Sequence, residues 1–254
     1  MAYFGMRELV SVEENNKYGI VNGITGEIII PAQYDEIDFI SDNLAAVQLD
    51  NKWGVIDKTN EVIIPIKYDV VDCFDYDEEY GDIISSGDIL IKVNLKDKWG
   101  IIDNRGKIII PLKYDCIFGF FTEGLTIVAL NKKWGIIDKT GRVVIPIQYE
   151  GISLFFEELA RVKLNGKWGF IDKTGKVVIP IQYDRVGVFN DGLAAVKLQD
   201  KWGFIDKTGK AVIPIQYDRV DVFKDGLASV QLDNKWGIID KSNKIVEEWL
   251  FYEK

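Results

Sequence analysis

Val186 to Asp218 reads V-G-V-F-N-D-G-L-A-A-V-K-L-Q-D-K-W-G-F-I-D-K-T-G-K-A-V-I-P-I-Q-Y-D, and the same phrase recurs along nearly the whole chain. Its aromatic-glycine pair returns at Tyr18, Trp53, Trp99, Trp134, Trp168, Trp202 and Trp236, with intervals of 35, 46, 35, 34, 34 and 34 residues. A fixed period of about 20 to 50 residues marks a solenoid, propeller or array, whose units bury their apolar faces against one another. Within the phrase, Leu193–Leu198 and Trp202–Asp206 are short apolar runs rich in strand-favouring residues, joined by a polar Gln-Asp-Lys link, which predicts a hairpin. Asp206-Lys207-Thr208-Gly209 has the Asp and Gly placement of a type I turn closed by a left-handed glycine and a bulge. The strand that follows contains Pro214, which cannot donate to a ladder and therefore places that strand at a sheet edge or at a bend. Apolar side chains fall on both faces of these strands, so each sheet is expected to be covered on both sides. Gly203 is expected to admit a neighbouring backbone or a large ring. Helical periodicity is absent.

These signals predict an all-β chain of seven tandem β-meander repeats of about 34 residues, near 1–35, 36–69, 70–115, 116–149, 150–184, 185–218 and 219–254, in a single domain over 1–254. Two architectures suit them: a β-propeller-like ring, or an open β-solenoid or superhelix with atypical end units as caps. For a ring, about 34 residues is short for four strands, so a three-stranded blade is expected, with Tyr-Asp-Arg-Val-x-Val-Phe as the crossing; that segment also reads as a short strand. The ends diverge, with Tyr18 in place of Trp and with Lys244–Lys254 lacking the Pro and the Gln-Tyr-Asp.

The phrase K-W-G-F-I-D-K-T-G-K-x-V-I-P-x-x-Y-D resembles the hallmark of the bacterial WG-repeat family over about residues 4 to 246. The resemblance implies an all-β repeat protein without assigned catalytic residues, often attached to other modules or acting as an adaptor, and it names no ligand.

Hydrophobic residues make up 47% of the 254, with seven Trp, eleven Tyr and thirteen Phe, enough for a substantial core. The net charge of −9 opposes binding to nucleic acid or anionic lipid. Cys73 and Cys116 occupy slots filled elsewhere by apolar residues, which reads as buried thiols in a reducing compartment, with a disulfide as the alternative. No basic segment followed by an apolar run opens the chain, and no run of apolar residues is long enough to span a bilayer as a helix. The expectation is a cytoplasmic protein that binds neither nucleic acid nor membrane.

The chain has no histidine, no Cys-x-x-Cys and no glycine-rich phosphate loop, so no cofactor, metal or catalytic residue is expected. The recurrent Asp57, Asp103, Asp138, Asp172, Asp206 and Asp240 read as Asx turns, or alternatively as calcium ligands or a carboxylate pair acting on a glycoside. Asp35, Asp69, Asp115, Asp184 and Asp218 follow Tyr and are expected to fix corners, with the Tyr hydroxyl bonded to backbone. The evenly spaced indoles read as buried packing keys of each unit; exposed, they would stack on sugars.

The repeat is broken in two places. Residues 76 to 88 are an insertion with an acidic aromatic patch, Tyr76, Asp77, Glu78, Glu79 and Tyr80, of the kind found at interaction hot spots. Trp249, Leu250, Phe251 and Tyr252 end the last unit as a docking cap or an exposed patch. The leading reading is a non-enzymatic protein–protein interaction scaffold or adaptor, with a glycan or cell-envelope binding module as the alternative.

Overall fold

The computed structural model describes residues 9–73 and 89–251, with the side chains of Cys73, Phe120 and 248–251 left out. Among the described residues there is no helix, and the strands form seven antiparallel sheets in chain order. The first contains β1 (Leu9–Glu14), β2 (Lys17–Asn22) and β3 (Ile28–Tyr34), in the order β1-β2-β3. The second contains β4 (Glu36–Ser41), β5 (Leu44–Leu49), β6 (Lys52–Asp57) and β7 (Val62–Tyr68), in the order β4-β5-β6-β7. Five further four-stranded sheets repeat this meander over 70–114, 116–149, 151–183, 185–217 and 219–251.

Four strands fit into one period because the passage between sheets is a single residue and, in the last three sheets, the first strand is only two residues long. Arg185–Val186 pairs with Lys197 and Val196, only Asp184 separating it from the outer strand Val177–Tyr183 of the preceding sheet. The Tyr-Asp-Arg-Val segment is thus a strand, and the expected three-stranded unit with that segment as a crossing is corrected.

Turn chemistry follows the local sequence. Gln199 and Asp200 have φ of 49° and 66°, the left-handed pair of a type I′ hairpin turn. Gly209, at φ 85°, donates its N–H to the Asp206 carbonyl at 2.9 Å, which is the predicted three-residue loop with its left-handed glycine. Pro214 lies on the outermost strand beside a register shift, between the pairs Trp202↔Tyr217 and Phe204↔Ile213, where no ladder donor is needed. That irregularity explains the glycine after each Trp. A Cβ on Gly203 would stand 2.6 Å from the Ile213 carbonyl oxygen, 2.7 Å from that of Pro214 and 2.8 Å from Ile215 Cα. The close approach is made by the sheet's own outer strand.

The chain divides into two compact units, Met1–Gly124 with Lys139–Gly141, and Leu125–Asp138 with Arg142–Lys254. Inside each, consecutive sheets meet through one recurring set of residues. In the first unit Ile20, Ile30 and Tyr34 of the first sheet pack on Ala45, Val47 and Ile56 of the second. In the second unit Phe170, Ile179 and Tyr183 pack on Ala194, Val196 and Ile205, and Phe204, Ile213 and Tyr217 on Ala228, Val230 and Ile239. Both faces of an interior sheet are therefore covered, as the alternation predicts.

Each indole of the series is half-buried, and Trp134, Trp168 and Trp202 pack at the flank of such joints, which corrects the reading of the indoles as buried packing keys. The rings at the centre of two joints are phenylalanines: Phe170 meets Phe189 edge-on at 4.9 Å, and Phe204 meets Phe223 at 4.7 Å.

The buried tyrosines also differ from expectation. Tyr34 Oη donates to Asn60 Oδ1 at 2.8 Å and Tyr217 Oη to Asn243 Oδ1 at 2.7 Å, side chains of the next repeat rather than backbone. Both asparagines are left-handed, with φ of 69° and 66°; the same slot, seven residues after the Trp, holds Gly141 at φ 83°. The Tyr114 hydroxyl, one repeat before Gly141, is buried without a hydrogen-bond partner. Gly141→Asn is expected to supply the missing acceptor, since its Cβ meets nothing closer than 3.4 Å, and to stabilise the chain by about 1 kcal/mol in urea unfolding.

Candidate interaction surface

The repeated carboxylates are consumed by the architecture. Asp206 Oδ1 accepts from the Thr208 N–H, the Thr208 hydroxyl and the Lys210 N–H at 2.9, 2.6 and 3.0 Å. Asp57, Asp172 and Asp240 repeat this Asx turn. In each of these four, the neighbouring hydroxyl is the main cause holding the carboxyl below its usual range. Four of the Asp residues that follow a Tyr, Asp35, Asp69, Asp184 and Asp218, are staples between sheets. Asp218 accepts from Lys201 Nζ at 2.5 Å within its own repeat and from the Asp233 N–H, in the hairpin turn of the next, at 2.8 Å. Asp35, Asp69 and Asp184 do the same with Lys17, Lys52 and Lys167 and with the turns at Asp50, Lys96 and Gln199.

Asp35, Asp57, Asp69, Glu150, Asp172, Asp184, Asp206, Asp218 and Asp240 are all held below the usual carboxylate range. A general acid on a glycoside needs the opposite displacement. No cluster of three or more metal-ligating side chains occurs among the described residues.

A carboxyl depressed in the fold stabilises above its unfolded pKa and loses that contribution as pH falls through the folded value. Because the Lys hydrogen bond is the leading cause at Asp35, Asp69, Asp184 and Asp218, stability is expected to be level from pH 7 to about 5 and to fall below about 4. Circular-dichroism melts across that range check it, and a chain with Asp184→Asn and Asp218→Asn is expected to show a shallower acid slope.

The indole faces are partly occupied. Lys92 Nζ lies 5.0 Å from the ring centre of Trp99, and the Trp168 ring has the Arg161 guanidinium at 5.8 Å and Lys163 Nζ at 6.0 Å. Cations sit where a sugar ring would stack on these two.

The joint residues open to solvent at the first sheet. Val12 is paired with Gly19 as Val47 is with Gly54 and Val196 with Gly203. Val47, Val93, Val128, Val162, Val196 and Val230 are all 0% exposed, whereas Val12 is 37% and its neighbour Val10 42% exposed. The face that receives a preceding sheet at the second, third, fifth, sixth and seventh sheets is here partly exposed and still apolar. The seventh sheet ends differently: opposite Ile238, where the sixth sheet pairs Ile213 with Phe204, stands exposed Glu247. The seventh sheet is thus polar at a position where the sixth is aliphatic.

The sequence candidates Tyr76, Asp77, Glu78, Glu79, Tyr80 and Tyr252 lie outside the described residues. Trp249 and Phe251 fall on the backbone of the strand Ile245–Phe251, their side chains outside the description. Sequence reasoning missed Val10 and Val12. The signal was present in the register of the phrase, because the first unit supplies a joint valine with no unit described before it.

The family profile described as "WG containing repeat" matches residues 18–53, 53–80, 99–134, 134–168, 168–202 and 202–236. Among curated protein sequences none matches. Among solved structures, a crystal structure of a eukaryotic initiation factor overlaps 94% of this chain and 74% of its own at 11% identity and a TM-score of 0.47. Hsv2p of Kluyveromyces lactis overlaps 81% of this chain and 74% of its own at 11% identity and a TM-score of 0.39. Likeness at that level carries no functional argument.

Proposed function

Because the chain belongs to the family of WG-containing repeat proteins, we propose that it is a non-catalytic cytoplasmic scaffold whose first sheet binds another polypeptide. The observation that carries this reading is Val12, 37% exposed where its six equivalents are 0% exposed. A bare face built from joint residues is complementary to apolar protein surface, and exposed apolar patches on soluble proteins mark such contacts. The binding of a sugar by the indoles is supported only by their partial exposure, and the cations on Trp99 and Trp168 weigh against it.

A photo-crosslinking amino acid placed at Val12 is expected to yield a discrete polypeptide adduct in the producing cell. The same group at Val246, which is 52% exposed on the seventh sheet, is expected to yield none. Equal labelling at the two positions would remove the first sheet as a binding face. Titration with cell-wall oligosaccharides is expected to leave the tryptophan fluorescence unchanged.

A further inference from the structure

Where each outer strand begins, a charged residue stands beside an aliphatic one, and both are exposed. In the first two sheets the charge is acidic: Glu27-Ile28 opens β3 and Glu61-Val62 opens β7, with Ile28 65% and Val62 50% exposed. At the third sheet, Lys107-Ile108, the sign has changed. In the second compact unit it stays basic, with Arg142-Val143 and Lys176-Val177, whose valines are 46% and 45% exposed. Lys210-Ala211 follows, its aliphatic member reduced to a methyl group. Each row is continuous, because the turn before the pair leans on the preceding repeat. In the first unit Asn60, next to Glu61, accepts from the Tyr34 hydroxyl at 2.8 Å. In the second unit a Cβ on Gly175 would lie 3.5 Å from Ile145, and one on Gly209 3.5 Å from Ile179. Both rows advance by one repeat of the same meander, so their charges are spaced alike. Other charges of these turns are already engaged: Lys173 pairs with Glu158 at 3.2 Å and Lys207 with Glu157 at 3.1 Å, while Lys58 lies in the field of Asp57. Among the described residues, the side chains of Glu27, Glu61, Lys176 and Lys210 take part in no hydrogen bond or ion pair. The two ammonium groups sense Asp172 and Asp206 without bonding to them.

We propose that two copies of this chain associate through these flanks. The acidic row of one, Glu27-Ile28 and Glu61-Val62, meets the basic row of the other, Arg142-Val143, Lys176-Val177 and Lys210. Cohesion comes from burying β-branched side chains that are about half exposed in the single chain, and opposite charges in equal steps set the register. Like rows repel, so the acidic row selects the basic one rather than itself. Pro31, Pro65, Pro146 and Pro180 interrupt the outer strands as backbone donors, which leaves the contact to side chains. The net charge of −9 opposes the approach of two copies. Salt at about 0.1 M confines that repulsion to about 10 Å, so the facing rows decide the outcome. The inference goes beyond polypeptide binding at the first sheet, and neither row contains Val10 or Val12.

Sedimentation of the full chain is expected to show concentration-dependent association. That association is expected to weaken as ionic strength rises from about 0.1 M to about 1 M, where the screening length drops to about 3 Å. A chain with Glu27→Lys and Glu61→Lys, whose two rows are then both basic, is expected to self-associate about tenfold more weakly. The same loss is expected for a chain with Lys176→Glu and Lys210→Glu, whose rows are both acidic. An equimolar mixture of the two variants is expected to associate again. All four positions are exposed, so the thermal melts should match that of the parent. Carbodiimide coupling of the unaltered chain, mixed as heavy-isotope and ordinary copies, needs no variant. It is expected to join Glu27 or Glu61 of one copy to Lys176 or Lys210 of the other. A full chain that stays monomeric, charge-reversed chains that associate as the parent does, or a mixture that stays monomeric overturns the inference. The cross-link at Val12 is indifferent to all three results, so a failure of self-association is told apart from a failure of binding at the first sheet.

Discussion

Gly203→Ala is expected to destabilise the chain by about 3 kcal/mol, a fall of roughly 6 to 12 °C in melting temperature. The added Cβ would sit 2.6 to 2.8 Å from backbone atoms of the adjoining strand, at Ile213, Pro214 and Ile215. No side-chain rotation relieves that overlap, because the obstacles are main-chain atoms held in the ladder of the same sheet. Gly54 and Gly169 meet their own outer strands at 2.6 and 2.7 Å, so the penalty should recur at each repeat. Gly187→Ala is the control, since its Cβ would make only ordinary contacts at 3.6 Å or more. A Gly203→Ala chain melting with the control would refute the close approach.

Phe204→Ala is expected to cost about 3 to 5 kcal/mol, and Trp202→Ala no more than about 2. The order is the reverse of what residue size suggests. Phe204 is 1% exposed at the centre of the joint with Phe223, while Trp202 is half-buried and packs on the same cluster from its flank. A double-mutant cycle between Phe204 and Phe223, whose rings meet at 4.7 Å and 71°, is expected to give a coupling of about 1 kcal/mol beyond burial. Denaturant unfolding of the four chains measures it, and a larger loss at Trp202 than at Phe204 would return the indole to the centre of the packing.

Both expected outcomes concern the same three residues, Trp202 to Phe204, and what a single sequence makes legible differs from one feature to the next. The turn at Asp206–Gly209, the edge position of Pro214 and the two-sided burial were legible because each follows from local backbone chemistry: a left-handed glycine, a missing donor, an alternation of period two. The pairing of Arg185–Val186 was legible only as one of two alternatives, strand or crossing, because two residues carry no periodicity and their partner lies beyond a turn. The Tyr34 hydroxyl's choice of Asn60 over backbone was not legible, since it depends on how one repeat leans on the next. The acidic insertion at 76–80 stood out by composition, whereas Val10 and Val12 look like any other strand residues until the burial of their counterparts is known.

By itself the sequence determined an all-β array of equal meanders, its turns and its edge strands, because those depend on residues within a few positions of one another. Only the tertiary structure decided that phenylalanine and not tryptophan occupies the centre of two joints, and that Val10 and Val12 of the first sheet are exposed where their counterparts are buried. The physical reason is that exposure belongs to the space between repeats, and identical local phrases acquire different burial according to whether a neighbour stands beside them.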